Sequence, residues 1–115
     1  MNKRLVGYEK EELAAAYLET CEYQLIEKNF YSRYGEIDLI CRKDGYLIFV
    51  EVKYRKDNEF GFPEDAITVK KMQSLWKTAN YYLYKNKLPE DTPCRFDVVS
   101  ILGEKISVIE HCMEG

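Results

Sequence analysis

Four charged residues interrupt two segments that are otherwise apolar. Residues 36–41 and 46–54 are rich in Ile, Leu, Val and Phe, yet they carry Glu36, Asp38, Glu51 and Lys53. Between them stands Asp44-Gly45, a two-residue hairpin signal. With that turn, Lys43 faces Tyr46, Cys41 faces Ile48, Asp38 faces Glu51 and Glu36 faces Lys53. Strand alternation then puts all four charges on one face with Ile40, Phe49 and Leu47, and leaves Ile37, Leu39, Val50 and Val52 on the other.

Two carboxylates facing each other at about 5 Å repel by about 3 kcal/mol at an effective dielectric near 20. Lys53, one step along the same face from Glu51, offsets part of that. A hard divalent cation offsets more, because Mg²⁺ takes a few carboxylate and carbonyl oxygens and keeps the rest of its shell as water. The competing arrangement is a salt-bridge ladder, in which Glu36 pairs with Lys53 and the other two acids point to solvent.

The elements that must position these groups follow from periodicity. Residues 5–20, with Leu13, Ala14, Ala15, Ala16, Tyr17 and Leu18 against Glu9, Glu12 and Glu19, predict a helix. Residues 22–31 read as an edge strand around Leu25, Ile26 and Phe30. After the hairpin, Gly61-Phe62-Pro63 breaks the pattern, and Thr68 is an N-cap for a second helix reaching Lys85. Its core positions are Met72, Leu75, Trp76, Ala79 and Leu83, with Lys71, Ser74, Thr78 and Lys85 on another side. A loop over residues 88–93 leads to two strands, 95–102 and 105–111, joined around Gly103-Glu104. The order is α-β-β-β-α-β-β.

The 115 residues allow one domain, spanning 1–115. At 46% hydrophobic and 32% charged, with nine Gly plus Pro, the composition is that of a folded globular chain. Sixteen aromatic residues, ten of them Tyr, exceed what a small core needs, so some rings belong at the surface, able to stack on a base or a partner. The net charge of -3 argues against a general polyanion binder, but residues 42–87 hold ten basic and six acidic residues between acidic ends, enough for one basic face. Cys21, Cys41, Cys94 and Cys112 contain no CxxC pair and read as buried free thiols; with His111 the single histidine, neither a zinc site nor a histidine-based triad is well supplied. No apolar run near the N-terminus suggests secretion or membrane insertion, and a reducing cytoplasm is expected. GxSxG, GxGxxG and P-loop motifs are absent.

The stretches Gly35-Glu36-Ile37-Asp38-Leu39-Ile40, Phe49-Val50-Glu51-Val52-Lys53-Tyr54-Arg55 and Arg95-Phe96-Asp97-Val98-Val99 resemble the PD-(D/E)XK nuclease superfamily. With the Ala-rich first helix and Phe60-Gly61-Phe62-Pro63-Glu64-Asp65-Ala66, the whole chain looks like a member of the YraN-like family of predicted endonucleases, themselves similar to Holliday-junction resolvases. The resemblance implies an α/β, restriction-endonuclease-like mixed central sheet flanked by helices. It implies a metal-dependent endonuclease acting on DNA at branched or damaged sites, the alternative being a catalytically silent nucleic-acid-binding or protein-interaction domain that keeps the fold. Asp38, Glu51 and Lys53 match the motif trio. Glu11 matches a supporting helix acid, with Glu12, about 100° round the helix, as the alternative. Asp38, Glu51, the carbonyl of Val52 and Glu11 are the expected ligands of Mg²⁺, with Mn²⁺ as the expected substitute. Arg55, Lys56, Lys70 and Lys71 are the expected phosphate contacts, and Lys71 matches a lysine opening the family's second helix. Lys10 stands where the family often has Gly, Tyr54 where Thr is common, and no Pro precedes Asp38. A homodimer or a protein partner is compatible with the tyrosine surplus and open strand edges, and neither is required.

Overall fold

The computed structural model describes the backbone of residues 3–111, and side chains from residue 7 onward. The elements are α1 (Lys3–Thr20), β1 (Gln24–Ser32), β2 (Gly35–Lys43), β3 (Tyr46–Arg55), a 3₁₀ turn (Pro63–Ala66), α2 (Val69–Lys85), β4 (Cys94–Leu102) and β5 (Lys105–Ile109). Their order is the α-β-β-β-α-β-β expected, and they form one mixed sheet ordered β1-β2-β3-β4-β5. All neighbours are antiparallel except β3 and β4, whose parallel pairing requires the long crossover that α2 supplies.

Each face of the sheet is covered by one helix, which explains why β2, β3 and β4 read as nearly continuous apolar runs. On one face Leu75, Ala79, Tyr82 and Leu83 of α2 pack on Phe30, Ile37, Ile40, Leu47, Phe49, Phe96 and Val98. On the other Ala14, Ala15 and Leu18 of α1 pack on Leu39, Cys41, Ile48, Val50, Val99 and Ile101. Two helix expectations need correction. Leu13 is 48% exposed, because the stripe 11, 14, 15, 18 faces the sheet instead. Thr78, assigned to an outer side of α2, is fully buried; its hydroxyl donates to the Ser74 carbonyl and lies 2.9 Å from the Ser32 hydroxyl. Met72 and Trp76 are partly buried against the same core.

Thr68 caps α2 as expected, its side chain accepting from the Lys71 amide at 3.1 Å. Both helices end in the same way: Tyr23 N–H donates to the Leu18 carbonyl and Leu88 N–H to the Leu83 carbonyl, each at 2.9 Å, after a residue with φ of 68° (Glu22) or 56° (Lys87). These are Schellman closures carried by residues other than glycine. Asp44 and Gly45, with φ of 53° and 83°, form the expected tight hairpin turn. At Gly35 (φ 148°) a Cβ would lie 2.7 Å from the Ser74 hydroxyl, so only glycine lets the β1–β2 turn approach α2 so closely.

β5 stops at Ile109, short of the expected His111, which has left-handed backbone and donates its N–H to Asp97. Cys21, Cys41 and Cys94 carry free thiols, with Cys41 buried; Cys112 lies outside the described residues. No helix among the described residues is long and apolar enough to cross a membrane.

Candidate metal centre

The hairpin forks where its charges begin. The β2–β3 ladder runs from Lys43↔Tyr46 to Leu39↔Val50 and ends there. Beyond it β2 stays paired with β1 down to Gly35↔Ser32, while β3 stays paired with β4 out to Arg55↔Leu102. The expected Asp38–Glu51 and Glu36–Lys53 rungs are therefore not part of the ladder. In their place the Asp38 carboxylate accepts the Val52 N–H at 2.8 Å, doing the work of a backbone carbonyl across the opening gap.

The expected face assignment also changes. In the β1–β2 ladder, Phe30↔Ile37 and Lys28↔Leu39 are paired, but the rung between them, Asn29 with Asp38, is missing, and Asn29 has φ of 53°. The register is the same on either side of this gap, the bulge of β1 lying between Leu25 and Glu27. Ile37 and Ile40, three residues apart, nevertheless lie in the same apolar cluster under α2, whereas Leu39 faces α1. The charges do not share one uniform face with Ile40, Phe49 and Leu47: they converge on the fork from both layers.

From α1 come Gly7, Lys10 and Glu11, three positions on one side of the helix, in register with the buried Ala14, Ala15 and Leu18. Glu11 thus lines the concavity, whereas Glu12 is exposed. Glu11, Glu36 and Asp38 each bring a carboxylate oxygen within 4.8 Å of the other two. Asn29 ties them, its amide donating to Glu11 Oε2 at 2.8 Å and to Glu36 Oε2 at 3.1 Å. Glu36 was expected among the clustered charges but not among the metal ligands, and Asn29 was not foreseen; an Asn inside a strand, where it fits poorly except in left-handed backbone, was the available signal.

The electrostatics match the crowding. Burial, and then repulsion from Glu51 and a hydrogen bond with it, push the Asp38 carboxyl up to about 9, against the opposing Val52 N–H. Burial also raises Glu11, with the charges of Glu36 and Glu51 adding and the Asn29 hydrogen bond opposing. Glu51 is only 2% exposed and is compensated by Lys71 at 3.2 Å and Lys53 at 3.7 Å. The salt-bridge ladder is thereby excluded: Lys53 pairs with Glu51 rather than Glu36, and Glu51 does not point to solvent.

Glu11, Glu36, Asp38, Glu51, Lys53 and Lys71 line a concavity of about 350 Å³ with Val52 and Tyr54. Lys71, expected to contact phosphate, stands inside it on Glu51. Arg55, Lys56 and Lys70 do not line it; Arg55 and Lys56 lie at and beyond the end of β3, and Lys70 is exposed on the first turn of α2. Lys10 and Tyr54, two departures from the resembled pattern, meet: the ammonium lies 4.3 Å from the ring centroid.

The donor set suits a hard divalent cation. Three carboxylates already lie close together, burial and the charge of Glu51 hold one of them near its neutral form, and no sulfur or imidazole among the described residues lines the concavity. Glu51 is beside Asp38 but engaged by two ammonium groups. Val52 contributes its N–H to Asp38, and the residue lines the same space.

A family model described as "Uncharacterised protein family UPF0102" matches residues 10–101. The chain is 52% identical to a UPF0102 protein of Lachnoclostridium phytofermentans over 115 residues, covering 100% of this chain and 98% of the relative. It is 50% identical to one from Syntrophomonas wolfei over 105 residues, 90% of this chain and 89% of the relative. A Cytophaga hutchinsonii relative is 44% identical over 108 residues, 94% and 92% of the two chains.

Proposed function

The chain belongs to the UPF0102 family, and from that premise we propose that it is a metal-dependent endonuclease hydrolysing phosphodiester bonds in DNA, at branched or damaged sites. The observation that carries the reading is the meeting of Glu11, Glu36 and Asp38 beside Glu51, with Lys10, Lys53 and Lys71 in the same open concavity. Metal-assisted hydrolysis needs such a group of oxygens next to a cationic side chain, open to a substrate.

In this reading Asp38, Glu11 and Glu36 hold Mg²⁺ or Mn²⁺, with Glu51 and the Val52 carbonyl completing the set. The cation would supply Lewis-acid activation of water and neutralise charge gathering on the phosphoryl oxygens. Asp38 gives up the proton that its burial retains near neutral pH, which couples cation binding to proton release. Lys53 orients the attacking water and favours its hydroxide form. Lys71 leaves or shares Glu51 and offers its charge to the scissile phosphate. No side chain forms a covalent bond with the substrate.

Two measurements test this. Millimolar Mg²⁺ or Mn²⁺ should raise the thermal midpoint of the wild type, and Asp38→Asn should abolish the shift while keeping an acceptor for the Val52 N–H. Linear, nicked, flapped and four-way DNA should then be cut in a metal-dependent way by the wild type and not by Lys53→Ala. A midpoint indifferent to both ions, or equal cutting by the lysine variant, defeats the assignment. Metal-independent DNA binding without cleavage would favour the silent-module alternative.

A further inference from the structure

The tyrosine surplus has a specific location. Tyr31, Tyr34, Tyr81 and Tyr84 are 63%, 38%, 39% and 80% exposed, and they cluster where the β1–β2 turn meets the outer side of α2. Two adjoining concavities, of about 360 and 410 Å³, share Tyr34 and Tyr81. The first adds Tyr31, Ser32 and Arg33; the second adds Lys77, Asn80 and Tyr84. Tyr81 and Tyr84 lie 6.5 Å apart between ring centroids, tilted 32° from one another. Cations flank the rings, with Arg33 at 4.9 Å and Lys77 at 5.7 Å from the Tyr34 centroid.

The core accounts for only one of these rings, and that in part: Tyr81 lies 6.0 Å from Phe30 between ring centroids. The inner tyrosine of α2, Tyr82, is buried against Phe30 and Phe49, while Tyr34, Tyr81 and Tyr84 keep substantial surface to solvent. The surface is continuous with the acid cluster: Tyr31 is the direct cross-strand partner of Glu36. Exposed rings interleaved with Arg and Lys are the combination that binds unstacked bases while tracking a backbone of phosphates. Paired bases in a duplex present no free ring faces to such a platform.

We propose that Tyr34, Tyr81 and Tyr84, with Arg33 and Lys77, form a stacking platform for a single-stranded DNA segment that leads along Tyr31 to the acid cluster. The choice of DNA rests on the endonuclease reading; the stacking of a single strand rests on the platform alone. The substrate class is thereby narrowed to DNA with an unpaired arm, such as a flap, a gap or an opened junction.

The test uses fluorescence anisotropy of a labelled single-stranded oligonucleotide in chelator, so that no cleavage intervenes. Tyr34→Ala and Tyr81→Ala should each weaken single-strand binding by roughly tenfold, leave blunt-duplex binding unchanged, and leave circular dichroism and the Mg²⁺-dependent thermal shift as in wild type. Tyr34→Phe, which keeps the ring, should bind as wild type does. Unchanged affinity in both alanine variants, equal losses for duplex and single strand, or no single-strand binding at low salt overturns the proposal. So does tighter binding of the same sequence as RNA, or a dimer in sedimentation that the alanine variants dissolve. Wild type that binds single strands through the tyrosines yet never cleaves would defeat the endonuclease reading and leave the platform standing.

Discussion

Asp38 carries two opposed demands: it is an acceptor for a backbone amide and a carboxyl crowded by Glu51. Its folded value of about 9 lies above the ordinary 3.8, so between those values the folded state holds a proton that the unfolded chain has released. Stability of the metal-free protein should therefore fall as pH rises from about 4 toward about 9, by at most about 1.4 kcal/mol per pH unit from this source. Urea unfolding across that range in chelator measures it, and Asp38→Asn should remove the component and be the more stable protein at pH 8. With Mg²⁺ present the trend should flatten, because cation and proton compete for the same oxygens. Lys71→Met makes a complementary case. It strips the nearer counterion from buried Glu51 and should destabilise the metal-free protein by about 1–2 kcal/mol, less than a fully buried pair because the lysine is partly solvated. Added Mg²⁺ should narrow that difference in thermal midpoint. The motif trio was legible because charges in apolar strands stand out one residue at a time. Asn29 was less so: an asparagine inside a strand was the one local hint, and its reach to Glu11 and Glu36 depends on a tertiary arrangement.

At the level of elements, the helix closures offer a cleaner test than the site. Glu22 and Lys87 hold left-handed backbone that glycine adopts without steric cost. Glu22→Gly should raise the thermal midpoint by a few degrees, equivalent to about 1 kcal/mol, with no effect on metal binding; differential scanning calorimetry reads both. The same elements show where sequence reasoning succeeds. The Asp44-Gly45 turn fixed the first rungs of β2 against β3, and Thr68 fixed the start of α2, because each is a local signal with one dominant structural solution. The ladder's early end and the burial of Thr78 are tertiary facts: the first follows from β1 and β4 pulling the two strands apart, the second from a hydroxyl finding partners in Ser32 and Ser74. Leu13 was misplaced because an alanine-rich helix offers several plausible apolar stripes, and only the sheet chooses among them.

Across the whole molecule, a second polar cluster ties remote parts of the chain. Arg95 makes a two-point pair with Asp97 at 2.7 and 2.9 Å, Tyr23 donates to Asp97 at 2.6 Å, and the His111 N–H donates to it at 3.1 Å. The segment after α1, the interior strand β4 and the end of the described chain thus meet on one carboxylate that is fully buried. Asp97→Asn should cost about 3–5 kcal/mol in chemical denaturation, as expected when a buried ion pair loses one partner, while any variant that still folds keeps its response to Mg²⁺. The fork has a different consequence for how this architecture ages. Because Asp38 closes a backbone gap whatever its part in the proposed chemistry, a lineage that lost such hydrolysis would still be under pressure to keep Asp or Asn there. Lys53, the more distant of the two ammonium groups on Glu51, carries less of the fold and would be freer to drift, so its loss rather than that of the acid would be the historical mark of a silenced descendant.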